Sequence, residues 1–184
     1  MATKVMTILE SGFEEIEAIT PVDLLRRAGV EVNLVSVGEV LTVKGKTGVC
    51  VQAERLLRDC DTNDYEILFL PGGPAVQKLR TNPKILELVR SFHENELLIA
   101  AICAASLILK DAGVLSDRSF TAHPSTLDEL PSASKDAVVV DRNLITSQGA
   151  GTAVEFGLTI IRSLLGQEKR NEIADSICFS ANEN

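Results

Sequence analysis

The chain has 184 residues, 45% of them hydrophobic and 24% charged, with a formal net charge of −8. That length suits one domain (1–184) with a sizeable core; the balance argues against disorder, and the acidity disfavours nonspecific binding to nucleic acid or anionic membranes. No apolar run approaches the roughly 18 residues that cross a bilayer, and the start MATKVMTILESG shows no secretory leader pattern, so a cytoplasmic setting is expected.

Val5–Leu9 reads as a short apolar strand, and Glu14–Ala28 as a helix that stops at Gly29. Val30–Val37 alternates as a strand, and Leu41–Val51, with Gly45 and Gly48 among β-branched residues, reads as a hairpin. Glu66–Leu70 is a buried strand ended by Pro71, Gly72 and Gly73. Pro83 opens a helix to about Asn95, and Leu97–Ile102 is the next strand. Ala104–Ala112 is helical and closes on Gly113. A short strand Ser119–Ala122, a polar loop-helix region, and the strands Ala137–Val140 and Leu144–Thr146 follow. Thr152–Leu165 is an amphipathic helix stopped by Gly166, a last helix starts at Gln167, and SANEN (180–184) reads as a tail. Strands alternating with helices predict an α/β fold, with a mostly parallel sheet covered on both faces. Ligands of such sheets sit at the carboxyl ends of the strands.

That rule directs attention to Gly12–Glu17, Gly72–Pro74, Cys103–Ser106, Ala122–Pro124 and Gln148–Thr152. Cys103 ends a strand and starts a helix, where unpaired backbone N–H groups and the helix dipole favour a thiolate. Ala104 and Ala105 leave room around such a nucleophile. A buried, inert core cysteine fits the same position. Cys50, Cys60 and Cys178 carry no comparable signal; no C-x-x-C pair exists, and with only His93 and His123 no metal site is expected.

On a helical wheel, Glu14 and Glu17 fall within the apolar arc of the first helix, while Glu15 falls on its polar side. Glu17 lies between Leu24 and Ala28, where a carboxylate is costly unless hydrogen-bonded or protonated. Pro21 removes the N–H that would bond the Glu17 carbonyl, which predicts local distortion. His123 follows a strand and precedes Pro124, where a histidine is more often structural than catalytic unless the fold brings it to Cys103; His93, near a helix end, is expected to face solvent. Gln148–Val154 (QGAGTAV) imitates a dinucleotide fingerprint, but Val154 replaces the third glycine and only a helix follows. It reads as a tight turn, and no cofactor is expected.

Together, GFEEIEAITPVDLLRRAGVEV, LPGGP, AAICAAS, TAHP and TSQGAGTAVEFG resemble, in order from about Lys4 to Glu168, the blocks of the ThiJ/PfpI superfamily. The likeness is nearest to the DJ-one subfamily, named for a Parkinson disease protein, and its bacterial relatives. The resemblance implies a flavodoxin-like three-layer sandwich, a homodimer, and a site near the subunit interface. It implies that Cys103 is an easily oxidised nucleophile, that Glu17 hydrogen-bonds its sulfur, that His123 lies nearby, and that the N–H groups of Gly73 and Ala104 form an oxyanion pocket. It also implies one of two roles. One is cofactor-independent conversion of reactive dicarbonyls such as methylglyoxal and glyoxal to lactate and glycolate (glyoxalase III-type), with a related protein deglycase activity. The other is that of an oxidative-stress sensor or redox-regulated chaperone. Ser106 stands where close relatives often carry proline, and Lys46 where some carry arginine. The His-x-Glu pattern of amidotransferase-like members is absent, which argues against protease or glutaminase activity.

Overall fold

The protein, described as a computed structural model, is defined over residues 3–180; the expected tail beyond Ser180 lies outside the described residues. Among the described residues there are nine strands and five helices: β1 (Lys4–Leu9), α1 (Glu15–Arg27), β2 (Glu31–Ser36), β3 (Thr42–Lys44), β4 (Cys50–Gln52), β5 (Arg55–Leu56), β6 (Ile67–Leu70), α2 (Val76–Leu79), α3 (Pro83–Glu94), β7 (Leu98–Ile102), α4 (Ser106–Asp111), β8 (Val138–Asp141), β9 (Leu144–Ser147) and α5 (Ala153–Ser176). Seven strands form one sheet in the order β5-β2-β1-β6-β7-β9-β8, all pairings parallel except β8 against β9. The strands β3 and β4 make the predicted antiparallel hairpin beside it. Helices α1 and α5 pack together on one face, and α3 and α4 lie together on the other. This is the flavodoxin-like three-layer sandwich that the sequence predicts. No helix among the described residues is long and apolar enough to cross a membrane.

Local chemistry sets these boundaries. Glu14 caps α1 by accepting from the Glu17 N–H at 2.8 Å, and the helix closes at Ala28 before Gly29 turns left-handed at φ +83°. The helix runs through Pro21 without a break. Asn82 caps α3, whose Ile85, Leu88, Val89 and Phe92 are buried on one stripe. Every residue of β6 is buried, as expected of a strand covered on both faces. Phe69 of β6 meets Phe156 of α5 with ring centroids 5.7 Å apart. The left-handed backbone at Gly166 divides α5, matching the two expected helices.

One expected strand is absent. Ser119–Ala122 makes only an isolated bridge, Thr121 to Ser134. Side chains take its backbone donors: the Ser119 N–H goes to Asp141 Oδ2 at 2.6 Å, and the Thr121 N–H to Thr146 Oγ1 at 2.9 Å. A segment whose N–H groups are spent on side chains cannot extend a ladder.

Candidate active site

The loops after β1, β6, β7 and β9 converge on one cleft of about 290 Å³ at the carboxyl ends of the central strands. Cys103, Glu17, His123, Gly73 and Ala104 all line it, with Glu14, Lys46 and Ser125.

Cys103 follows β7 and opens a single 3-10 turn, Cys103–Ala105, that leads into α4. Its φ of +64° is a left-handed conformation that a side chain other than glycine seldom adopts. Holding it there costs of order 1–3 kcal/mol, which the packing of β7 and α4 must offset. The strained turn presents the half-buried thiol to the cleft.

Glu17 is only 2% exposed. Its Oε2 accepts the Gly72 N–H at 3.0 Å, and the Cys103 side chain lies beside its carboxyl. Burial pushes this carboxyl up to about 7; the neighbouring Cys103 thiol, the Gly72 N–H and the Lys46 ammonium resist, while Glu14 adds to the rise. At neutral pH Glu17 therefore exchanges a proton readily. Gly72 is required here, because a Cβ on it would overlap Glu17 Oε2 and come within 2.7 Å of the Cys103 Cβ.

The expectation that the strand–helix turn favours a thiolate is corrected. The N–H groups of Ala104 and Gly73 lower the pKa of the sulfur, but burial and the Glu17 carboxylate outweigh them and push the thiol up to about 12. The helix behind it is only six residues long, a weak dipole. A thiolate forms here when its proton passes to Glu17 and removes the opposing charge.

His123 caps the 3-10 turn Pro124–Thr126. Its Nδ1 accepts the Ser125 N–H at 3.2 Å and lies 2.8 Å from Ser125 Oγ. With Nδ1 an acceptor, the neutral ring carries its proton on Nε2. The His123 N–H donates to the Cys103 carbonyl at 3.3 Å, joining the two turns. Gly149 forms the adjoining wall: a Cβ there would lie 3.3 Å from His123 Cδ2 and 3.7 Å from Glu17 Oε1. The glycine-rich QGAGTAV segment thus walls the cleft as a turn.

The remaining candidates lie elsewhere. Cys50 and Cys178 are exposed and Cys60 partly so, all three free thiols outside the cleft. His93 is half-buried and lines a different cavity with Arg118 and Arg142. The strand-end rule pointed to the segments that hold Gly72 and Gly149 without giving either a role, and it missed Ser125. A glycine pair right after a strand that points at the cleft was the available signal for the first.

Residues 3–163 match the model of the DJ-1/PfpI family. Protein dj-1beta of Drosophila melanogaster is 35% identical over 187 residues, covering 99% of this chain and all of that one. Its crystal structure superposes with a TM-score of 0.94 at 36% identity, covering 98% of this chain and 100% of that one. Glutathione-independent glyoxalase DJR-1.2 of Caenorhabditis elegans is 34% identical over 171 residues, covering 91% of each chain. The structure titled Toxoplasma gondii DJ-1, oxidized, has a TM-score of 0.92 at 32% identity, covering 98% of this chain and 100% of that one. With a family match over most of its length and full-length relatives above 30% identity, this chain belongs to the DJ-1/PfpI family.

Proposed function

We propose that this protein detoxifies small reactive dicarbonyls, converting methylglyoxal or glyoxal to lactate or glycolate without a cofactor. Kinship supports a cysteine-associated detoxification or redox role, and two relatives are named as glutathione-independent glyoxalases. The observation that carries the reading is the buried Glu17 carboxyl, which accepts the Gly72 N–H and faces Cys103 in the cleft, with burial raising its pKa.

Glu17 takes the thiol proton as the Cys103 sulfur bonds the aldehyde carbon of the substrate. The carbonyl electron pair moves to oxygen, beside the N–H groups of Ala104 and Gly73, and Glu17 returns its proton to give a hemithioacetal. A proton then leaves that carbon, and the neighbouring carbonyl carbon gains one. The aldehyde carbon is oxidised to a thioester and its neighbour reduced to an alcohol, so no external oxidant enters. Water cleaves the thioester, releasing lactate or glycolate and the free thiol. His123, with its Nε2 proton, assists the oxygen that changes charge. Removal of early glycation adducts from proteins would use the same nucleophile.

The reading includes a cytoplasmic homodimer. Ile16 and Ile19 on α1 and Val49 in the hairpin turn are exposed apolar residues on the segments that carry Glu17 and Lys46, and a second copy would cover them.

Purified protein should form lactate from methylglyoxal, and Cys103→Ser should reduce the rate on the order of a thousandfold or more. Wild type without turnover removes the dicarbonyl reading. A second reading, an oxidation-responsive sensor or redox-regulated chaperone, rests on the same half-buried thiol and on the oxidised Toxoplasma relative. Two peroxide molecules would carry Cys103 to a sulfinate, with Glu17 donating a hydrogen bond to it. Intact mass after mild peroxide should place the added oxygen on Cys103; addition chiefly at Cys50 or Cys60 counts against this role.

A further inference from the structure

The three segments that build the cleft meet again at their outer ends. The Gly72–Gly73 loop runs into α2, which is capped by Arg80; the Cys103 turn runs into α4, which ends at Asp111; the His123 turn continues to Glu129. Arg80 Nε donates to Asp111 Oδ2 at 2.6 Å, and Nη2 to Asp111 Oδ1 at 3.2 Å. On its other side, Nη1 donates to Glu129 Oε1 at 2.8 Å and Nη2 to Glu129 Oε2 at 2.7 Å. Lys110 Nζ also reaches Glu129 Oε2, at 3.0 Å. The Arg80 side chain is only 14% exposed.

We propose that Arg80 is a positioning residue for the Cys103 site, holding the Gly73 loop, the nucleophile helix and the His123 turn in one register. The proposal rests on Cys103 being the reactive group. Near the cleft the same segments are joined by the His123 N–H to the Cys103 carbonyl and by Ser106 Oγ to the Thr121 carbonyl at 3.0 Å. A six-residue helix is only about 9 Å long, so ties at both ends fix its tilt. Tilt decides how Cys103 and the Ala104 N–H sit against the Gly73 loop and Glu17 across the cleft. A planar guanidinium forks two carboxylates at once; the point charge of a lysine does not.

The test is the rate of Cys103 alkylation by iodoacetamide, followed by intact mass from pH 5 to 10 on the full chain; with the thiol itself held at about 12, the midpoint read in this window is that of the Glu17–Cys103 pair, whose first proton leaves near 7. The ionisable groups facing Cys103 are Glu17 and Glu14 from the α1 segment, Lys46 from the hairpin, and His123, all left unchanged. Glu129 is held at about 2 by Arg80 and Lys110, so the bridge does not titrate in this range. Arg80→Lys should keep the far-UV circular dichroism, slow alkylation at pH 7 by about three- to tenfold, and move the profile midpoint upward by about half a unit or more. Loss of thermal stability with a wild-type midpoint overturns the positioning role and leaves a stabilising bridge only. If Arg80→Lys does not fold, Asp111→Asn and Glu129→Gln each remove one fork: a raised midpoint in either folded variant supports the proposal, and none in both overturns it. A wild-type Cys103 inert at every pH removes the reactive-cysteine reading and this role with it. A reactive wild type with an unshifted variant removes this role alone.

Discussion

Glu17 and Glu129 belong to segments that build the same cleft, yet their environments drive them in opposite directions. Glu17 is enclosed, with one backbone N–H and one thiol for company, and burial lifts it to about 7. Glu129 stands at the surface, where Arg80 and then Lys110 hold it down at about 2. Under-partnering makes one carboxyl a proton carrier at physiological pH. Saturation with cations makes the other a fixed anchor. The chain thus separates the group that must change its charge from the groups that must keep theirs.

Replacing Glu17 tests the first half of that contrast with the largest effect. Glu17→Gln keeps the shape and a hydrogen-bond acceptor but cannot take the thiol proton, so methylglyoxal turnover should fall about 10²- to 10³-fold, read from kcat/KM. Stability gives an independent reading. The folded value near 7 lies above the ordinary 4.5, so the folded state holds the proton more tightly. The stabilisation is complete below about pH 4.5 and is lost as pH rises through 7. The shift corresponds to about 3 kcal/mol. Urea unfolding between pH 4.5 and 8 should show this decline in the wild type and its absence in Glu17→Gln; equal slopes would place Glu17 in a wetter setting than its burial implies.

Crowding around Glu17 is tested next by Gly72→Ala, with Gly29→Ala as its counterpart. At Gly72 a methyl meets the Glu17 carboxyl, the Cys103 Cβ and, at 3.0 Å, the Ile102 carbonyl, so something must move. A loss of about 2–3 kcal/mol should accompany displacement of Glu17 from the sulfur. At Gly29 a methyl meets nothing within 4 Å, and only the left-handed backbone resists it, at about 1 kcal/mol. Equal losses at the two positions would show that the Gly72 wall is looser than the cleft geometry requires.

The layers of the fold are legible because the central strands are short apolar runs and the helices end at glycines. β5 and α2 are not, being two and four residues long, too short for any periodicity to register. Ser119–Ala122 has the composition of a strand, and only the capture of its N–H groups by Asp141 and Thr146 reveals otherwise. The site was readable in outline. A cysteine between strand and helix marks itself, and the helical wheel narrows the acid to Glu14 or Glu17. The thiol's pKa was misjudged because a dipole can be read from sequence, whereas burial beside a carboxylate cannot. Arg80 was invisible for a different reason: its partners lie 31 and 49 residues away. Nothing local distinguishes such an arginine from a solvated one.

Ser106, which stands where close relatives often have proline, acquires a role from the structure. It is fully buried, and its hydroxyl donates to the Thr121 carbonyl at 3.0 Å, two residues before His123. A proline could not make this bond; the serine therefore ties the nucleophile helix to the histidine segment on the cleft side, as Arg80 does on the outer side. Ser106→Ala leaves that carbonyl without its hydroxyl partner and should cost about 1 kcal/mol in denaturant unfolding, no more than Gly29→Ala. Ser106→Pro should be tolerated by the backbone, since Ser106 has φ −58° at the helix start, where a proline ring fits. The Ser106 N–H donates to the Ala104 carbonyl in the native chain, so the proline variant loses that bond as well as the hydroxyl. A loss in Ser106→Pro no larger than in Ser106→Ala would mean that the proline's rigidity offsets the missing bond, and a loss several times larger would make the N–H, rather than the hydroxyl, the principal tie at this turn.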